Sequence, residues 1–187
     1  MLGPHASSAA TRPGDPPGRA EAGRAALALL VLGLAAFGWI RVASFTHEFG
    51  SNDVAGIAYE ADTILRGDLP YRDTVQFKPP GTFFVFAAVF GALGRDLGAV
   101  HVVLSAWLLA GAWGVHRAAR SLHGSGLAAA LAAAVYLVSA GRFDLNYSTW
   151  MAPACALAFA SFVGGLRTAS FRAHLAGGAW SAVAFLF

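Results

Sequence analysis

Residues 25–45 contain a single charged side chain, Arg41, and residues 97–115 contain no Asp, Glu, Lys or Arg at all. Each run is about long enough to cross a hydrocarbon core of roughly 30 Å. Backbone groups in such a core must bond within their own segment, so an apolar stretch of this kind has to be helical. Residues 127–140 and 150–166 continue the series, 82–93 is a shorter member, and 175–187 begins another. The expected fold is all-α: a polytopic transmembrane bundle that stops after about five apolar segments, as the N-terminal piece of a longer membrane protein would. Composition agrees, with 57% apolar and only 12% charged residues, against about 25% charged in soluble domains.

The formal charge is +3, but the arginines are scattered between apolar runs and form no basic stripe with interleaved aromatics. Nucleic acid is therefore not an expected partner, whereas membrane lipid is. The one cysteine, Cys155, lies in an apolar run and reads as a buried small residue; alone it excludes an intrachain disulfide. Residues 1–23 are rich in Pro, Gly, Ala, Ser and Arg without hydrophobic periodicity, and read as a disordered, weakly positive cytoplasmic tail. Residues 25–45 then read as an uncleaved anchor, with Trp39 at the interface and Arg41 snorkelling from its far end. A signal peptide cleaved near Val42-Ala43-Ser44 is the rival reading.

Charge sets the expected topology. Between Arg41 and Lys78 there are six acids and four bases, while the remainder has nine bases and four acids. If every apolar run crossed, the Arg117/Arg120 and Arg167/Arg172 groups would lie outside, against the positive-inside tendency. One net crossing over residues 79–115, with 82–93 dipping in or lying shallow, returns both groups to the cytoplasm. The first loop, residues 46–80, is then external and on the same face as Asp144.

That loop holds the sole lysine and five of the ten acids between Asn52 and Pro80. A helix is expected over 53–66, where Val54, Ile57, Ala58, Ala61, Ile64 and Leu65 make one apolar face and Glu60, Asp62, Thr63 and Arg66 lie elsewhere. Ser51 or Asn52 would cap it and Gly67 would stop it; too short to span and amphipathic, it should lie in the interface plane. Asp53 in its first turn is either a solvated acid or a general base or metal ligand for a substrate arriving from the lipid. Lys78, where a Pro-Pro turn feeds an apolar run, is an anchor or a point charge at phosphate depth. Asp144 and Asn146 form an Asp-x-Asn hairpin, either a plain turn or oxygen donors for a divalent cation such as Mg²⁺ or Mn²⁺. The histidines lack metal-ligand spacing, and Gly164-Gly165 and Gly177-Gly178 suggest close helix packing.

Asp53, Tyr59, Ala61, Gly67, Pro70-Tyr71, Asp73 and Lys78-Pro79-Pro80, followed by an aromatic run ending Phe90-Gly91-Ala92-Leu93-Gly94, resemble the first external loop of glycosyltransferase family 39. That family includes bacterial relatives of protein O-mannosyltransferases and the aminoarabinose transferases of lipid A. The similarity covers roughly residues 25–166, and the loop is its diagnostic part. The resemblance implies a C-type glycosyltransferase of the bacterial cytoplasmic membrane. Such an enzyme moves a sugar, with inversion, from a polyprenyl-phosphate donor to a lipid, glycan or protein acceptor on the outer face. Asp53 matches the family's catalytic base and Lys78 its phosphate-holding lysine, with Tyr59, Tyr71 and Asp73 as further substrate-binding positions. Asp144 matches a second acidic site by spacing only. Relatives often carry Asp-Glu where this chain has Asp53-Val54, and a polar, acidic or His residue where it has Phe77, which weighs against a metal in this loop. The alternative is a non-catalytic membrane protein, a transporter piece or an inactive remnant. Transporters usually mark their path with midplane charges and internal repeats, and neither is evident here.

Overall fold

The computed structural model describes residues 19–45, 52–142 and 145–187; the expected tail up to residue 18 and Asp144 lie outside the described residues. The described residues form helices only: α1 (Arg19–Ser44), α2 (Asn52–Leu65), α3 (Gly81–Leu93), α4 (Leu97–His123), α5 (Gly126–Ala140), α6 (Tyr147–Thr168) and α7 (Phe171–Phe185). Helix α1 starts at Arg19, ahead of the apolar run. Three helices, α1, α4 and α6, are long and apolar enough to cross a membrane. Helices α5 and α7 have 15 residues each, about 22 Å of rise, which falls short of the roughly 20 residues a perpendicular crossing needs. Spanning length is thus reached three times among the described residues, fewer than the five apolar segments suggested.

Contacts between helices fix their directions. Gly33 meets Ala134 and Phe37 meets Gly141, so α1 and α5 run parallel. Helix α4 reverses into α5 through Gly124, whose φ of 69° suits a residue without Cβ. Helices α4 and α6 are also parallel, since Trp107 Nε1 donates to the Trp150 carbonyl at 2.8 Å and Arg167 donates to the Leu122 carbonyl at 3.0 Å. Gly111 and Gly114 let these two approach closely: a Cβ would stand 2.9 Å from Pro153 Cα at the first and 3.0 Å from the Ala156 carbonyl carbon at the second. Helix α7 folds back along α6, with Phe187 stacked on Trp150.

One end of the bundle therefore collects the ends of α1, α5 and α7 and the starts of α4 and α6. Helix α3 lies across this end. Its first amide donates to the Leu186 carbonyl at 2.7 Å, and its last turn is only three residues from α4. With 13 residues it is shorter than a perpendicular crossing needs. Helix α2 lies beside it and runs the same way, Leu65 reaching Gly91. Beneath the two helices, Val54, Ile57, Phe83, Phe86, Leu104, Leu108 and Trp150 are almost fully buried and form the core. Meanwhile Leu27, Leu32, Trp39, Val135 and Phe159 point outward, as surfaces meant for lipid do.

Three expectations need correction. Arg41 does not snorkel. It is 2% exposed, donating from Nε to Ser105 Oγ at 3.0 Å and lying 2.9 Å (Nη2) from His101 Nδ1. The helix α4 that packs on α1 supplies polar atoms there, so the guanidinium turns inward. Cys155 is exposed, because α6 turns its small residues Ala154 and Ala158 inward instead. Of the two glycine pairs, only Gly165 and Gly177 face a neighbouring helix, against His174 and Phe162.

Candidate functional site

Helix α2 ends where its sequence said it should. Gly67 has φ of 100°, and the next amide, Asp68 N–H, closes back on the Thr63 carbonyl at 3.1 Å. The chain then makes a tight turn in which Asp73 accepts the Leu69 amide at 2.8 Å and is paired with Arg72. Tyr71 takes a left-handed backbone, φ 68°, and its hydroxyl donates to the Lys78 carbonyl. From Thr74 to Lys78 the chain is extended and returns along α2 in the opposite direction.

Alternation in that extended segment sorts its side chains. Val75 and Phe77 are 98% and 89% exposed, while Thr74, Gln76 and Lys78 turn toward α2. Lys78 Nζ is paired with Asp53 Oδ1, bringing together residues 25 apart in sequence. The Lys78 side chain is 14% exposed and that of Asp53 46%. Asn146 Nδ2 lies 3.4 Å from the other Asp53 oxygen, across 93 residues. The Tyr147 ring centroid is 5.2 Å from Lys78 Nζ, within cation–π reach. The starts of α2, α3 and α6 thus meet on one ion pair. The Lys78 hydrogen bond and charge, with the Asn146 amide, hold the Asp53 carboxyl below the usual carboxylate range, although partial desolvation opposes this.

Of the two expected metal donors, Asp144 lies outside the described residues. Asn146 Oδ1 accepts the Tyr147 amide at 2.7 Å as the cap of α6, and its NH₂ faces Asp53. The Asp53 carboxylate has an ammonium beside it. Among the described residues no three His, Cys, Asp or Glu side chains converge. Of the expected substrate-binding residues, Tyr71 and Asp73 shape the loop that delivers Lys78. Tyr59 is 63% exposed, roughly 120° round α2 from Asp53.

Glu60 is the residue that sequence reasoning misplaced. It is fully buried, and its carboxylate accepts Thr74 Oγ1 at 2.5 Å and Gln76 Nε2 at 2.9 Å. The wheel assigned it to the polar side because only apolar residues were counted as buried. Helix α2 is covered on one flank by a polar segment, so the buried arc extends past Ile57 to Glu60 and Thr63. Its seven-residue spacing from Asp53, two helical turns, was the available signal.

An apolar cavity of about 440 Å³ is walled by Val85 of α3, Val103 and Trp107 of α4, Trp150 of α6 and Val183 of α7. Trp150 is less than one turn from Tyr147, so the cavity and the charged pair share the first turn of α6. No protein-family model, curated protein or solved structure matches this chain.

Proposed function

We propose that this chain is a C-type membrane glycosyltransferase similar to family 39. It would transfer a sugar from a polyprenyl-phosphate donor to an acceptor on the extracytoplasmic face. The observation that carries the reading is the Asp53–Lys78 pair at the meeting point of three helix starts. A general base and a phosphate-binding cation are what such a transfer requires of its protein, and here they stand in contact, next to an apolar cavity suited to an isoprenoid chain.

The chemistry follows from their charges. A donor phosphate competes with Asp53 for Lys78, because both are anions seeking one ammonium. Binding of donor removes the influence that depresses the Asp53 pKa, so the carboxylate becomes a better base as the site fills. Asp53 then takes the proton of the acceptor hydroxyl or amine. The acceptor lone pair forms the new bond to the anomeric carbon from the side opposite the phosphate. The old carbon–oxygen bond breaks, and its electron pair leaves on the phosphate, whose charge Lys78 balances.

Sidedness is part of the proposal. Arg117, Arg120, Arg167 and Arg172 gather at the bundle end remote from the pair. Among the described residues none of them has a carboxylate at ion-pair distance, whereas Arg66, Arg72, Lys78 and Arg95 at the loop end are all paired. An unpaired arginine end suits the cytoplasmic leaflet, which supports an external position for the pair.

The test is transfer from a panel of synthetic polyprenyl-phosphate hexoses and pentoses by the full chain in proteoliposomes. Asp53→Asn should lower turnover about 10²–10⁴-fold with unchanged expression, and Lys78→Ala should chiefly raise the donor KM. Full activity of Asp53→Asn rejects the assignment. The second reading, a non-catalytic membrane protein, draws on the same pairing, since two charges that satisfy each other also make a plain structural lock. On that reading Asp53→Asn lowers thermal stability and no donor in the panel is used by either protein.

A further inference from the structure

We infer that Glu60 is a positioning residue: its buried carboxylate straps the 74–78 segment onto α2 and so fixes where Lys78 stands relative to Asp53. Helix α2 offers two carboxylates seven residues apart, about 10.5 Å along its axis. The extended segment offers three inward side chains at positions 74, 76 and 78, spanning about 13 Å at roughly 3.3 Å per residue. The two rulers match closely enough for Thr74 and Gln76 to share Glu60 while Lys78 reaches Asp53. Both Glu60 oxygens are occupied, and both bonds come from this one segment. Otherwise the segment is tied only near its ends, by the Pro70–Thr74 bridge and by the Tyr71 hydroxyl on the Lys78 carbonyl. Between them Val75 and Phe77 project into open space, and among the described residues no backbone amide from residue 75 to 78 donates to another backbone group.

A carboxylate buried without a cation beside it is costly unless its acceptors are filled. Glutamate at position 60 is therefore a poor choice for packing and a good one for gripping two donors. Losing the strap frees Lys78 to follow the loop, so the ammonium would no longer be fixed at Asp53. The part of this inference that concerns phosphate binding rests on the glycosyltransferase reading; the part that concerns geometry does not.

The experiment uses the full chain with Cys155→Ser and spin labels at Gly56→Cys on α2 and Phe77→Cys on the segment, both exposed positions. Pulsed dipolar spectroscopy should give one narrow distance peak. Glu60→Ala should widen it at least twofold, and Thr74→Val, which leaves the helix untouched, should widen it less. Gln76→Glu alone sets two carboxylates face to face and should also widen the peak. Glu60→Gln with Gln76→Glu restores both bonds with donor and acceptor exchanged, and should return it to the original width. A parallel titration with farnesyl phosphate should show at least tenfold weaker binding for Glu60→Ala and recovery to within twofold in the exchanged pair. An unchanged peak in both Glu60→Ala and Thr74→Val overturns the strap, as does failure of the exchanged pair to recover. If the unaltered chain ignores farnesyl phosphate while the distances behave as described, the strap stands and the donor assignment falls.

Discussion

Asp53 and Lys78 are ordinary residues made unusual by contact. Because the folded-state pKa of Asp53 is depressed, the unfolded chain takes up its proton first on acidification. The pair therefore contributes stability at every pH above the ordinary carboxylate value of 3.8, and that contribution is lost as pH falls through the lower folded value. Thermal midpoints measured from pH 8 to pH 3 should show a difference between the native chain and Asp53→Asn that is level above about pH 5 and shrinks below pH 4. Tyr71 is the second residue of interest. A left-handed backbone at a non-glycine residue costs about 1–2 kcal/mol, which the hydroxyl bond to the Lys78 carbonyl helps to offset. Tyr71→Phe should keep the fold but lose roughly 1 kcal/mol, read as a shift in the chemical or thermal midpoint. Tyr71→Gly loses the bond but relieves the strained backbone, so it should be more stable than Tyr71→Phe and lie close to the native chain.

Among the elements, α4 and α6 pack closely, and glycine sets their separation. Gly114 leaves no room for a side chain, with Ala156 and Leu157 backbone atoms about 3 Å from where a Cβ would sit. Gly114→Leu should therefore separate the helices and cost about 1–3 kcal/mol or more by overpacking. Gly164→Leu, with nothing within 4 Å, should be close to neutral in the same detergent unfolding assay. The comparison matters because α6 carries Asn146 and Tyr147 on its first turn. Moving α6 on α4 also moves two of the groups around the ion pair, so Gly114→Leu should weaken the proposed donor binding from a distance.

For the molecule as a whole, the decisive property is the separation of charge between its ends. Acids and their paired cations lie with α2 and α3, and unpaired arginines lie at the far end of α4 and α6. Cysteine accessibility in a Cys155→Ser background checks the proposed orientation. Ser148→Cys, exposed at the start of α6, should react with a membrane-impermeant maleimide added from outside, and Ser121→Cys should react only after permeabilisation. Outside labelling of Ser121→Cys would invert the arrangement and leave the ion pair facing the cytoplasm.

Sequence alone determined the helical class, the long apolar helices and the end of α2, because these depend on local hydropathy and on backbone preferences within a few residues. It also singled out Asp53 and Lys78, but as separate residues with separate alternatives. Their contact, the closure by Asn146 and the burial of Glu60 depend on residues up to 93 positions apart, and no local pattern encodes such a distance. Arg41 makes the same point in reverse. Its place near the end of an apolar run suggested a snorkelling charge, yet the neighbouring α4 presents Ser105 and His101 to it. Whether a polar side chain is buried depends on what lies across from it, and only the tertiary structure supplies the other side. Asn146 shows this at the site itself: spacing offered it as a plain turn residue or a cation donor, while packing makes it the cap of α6 and brings its amide to Asp53.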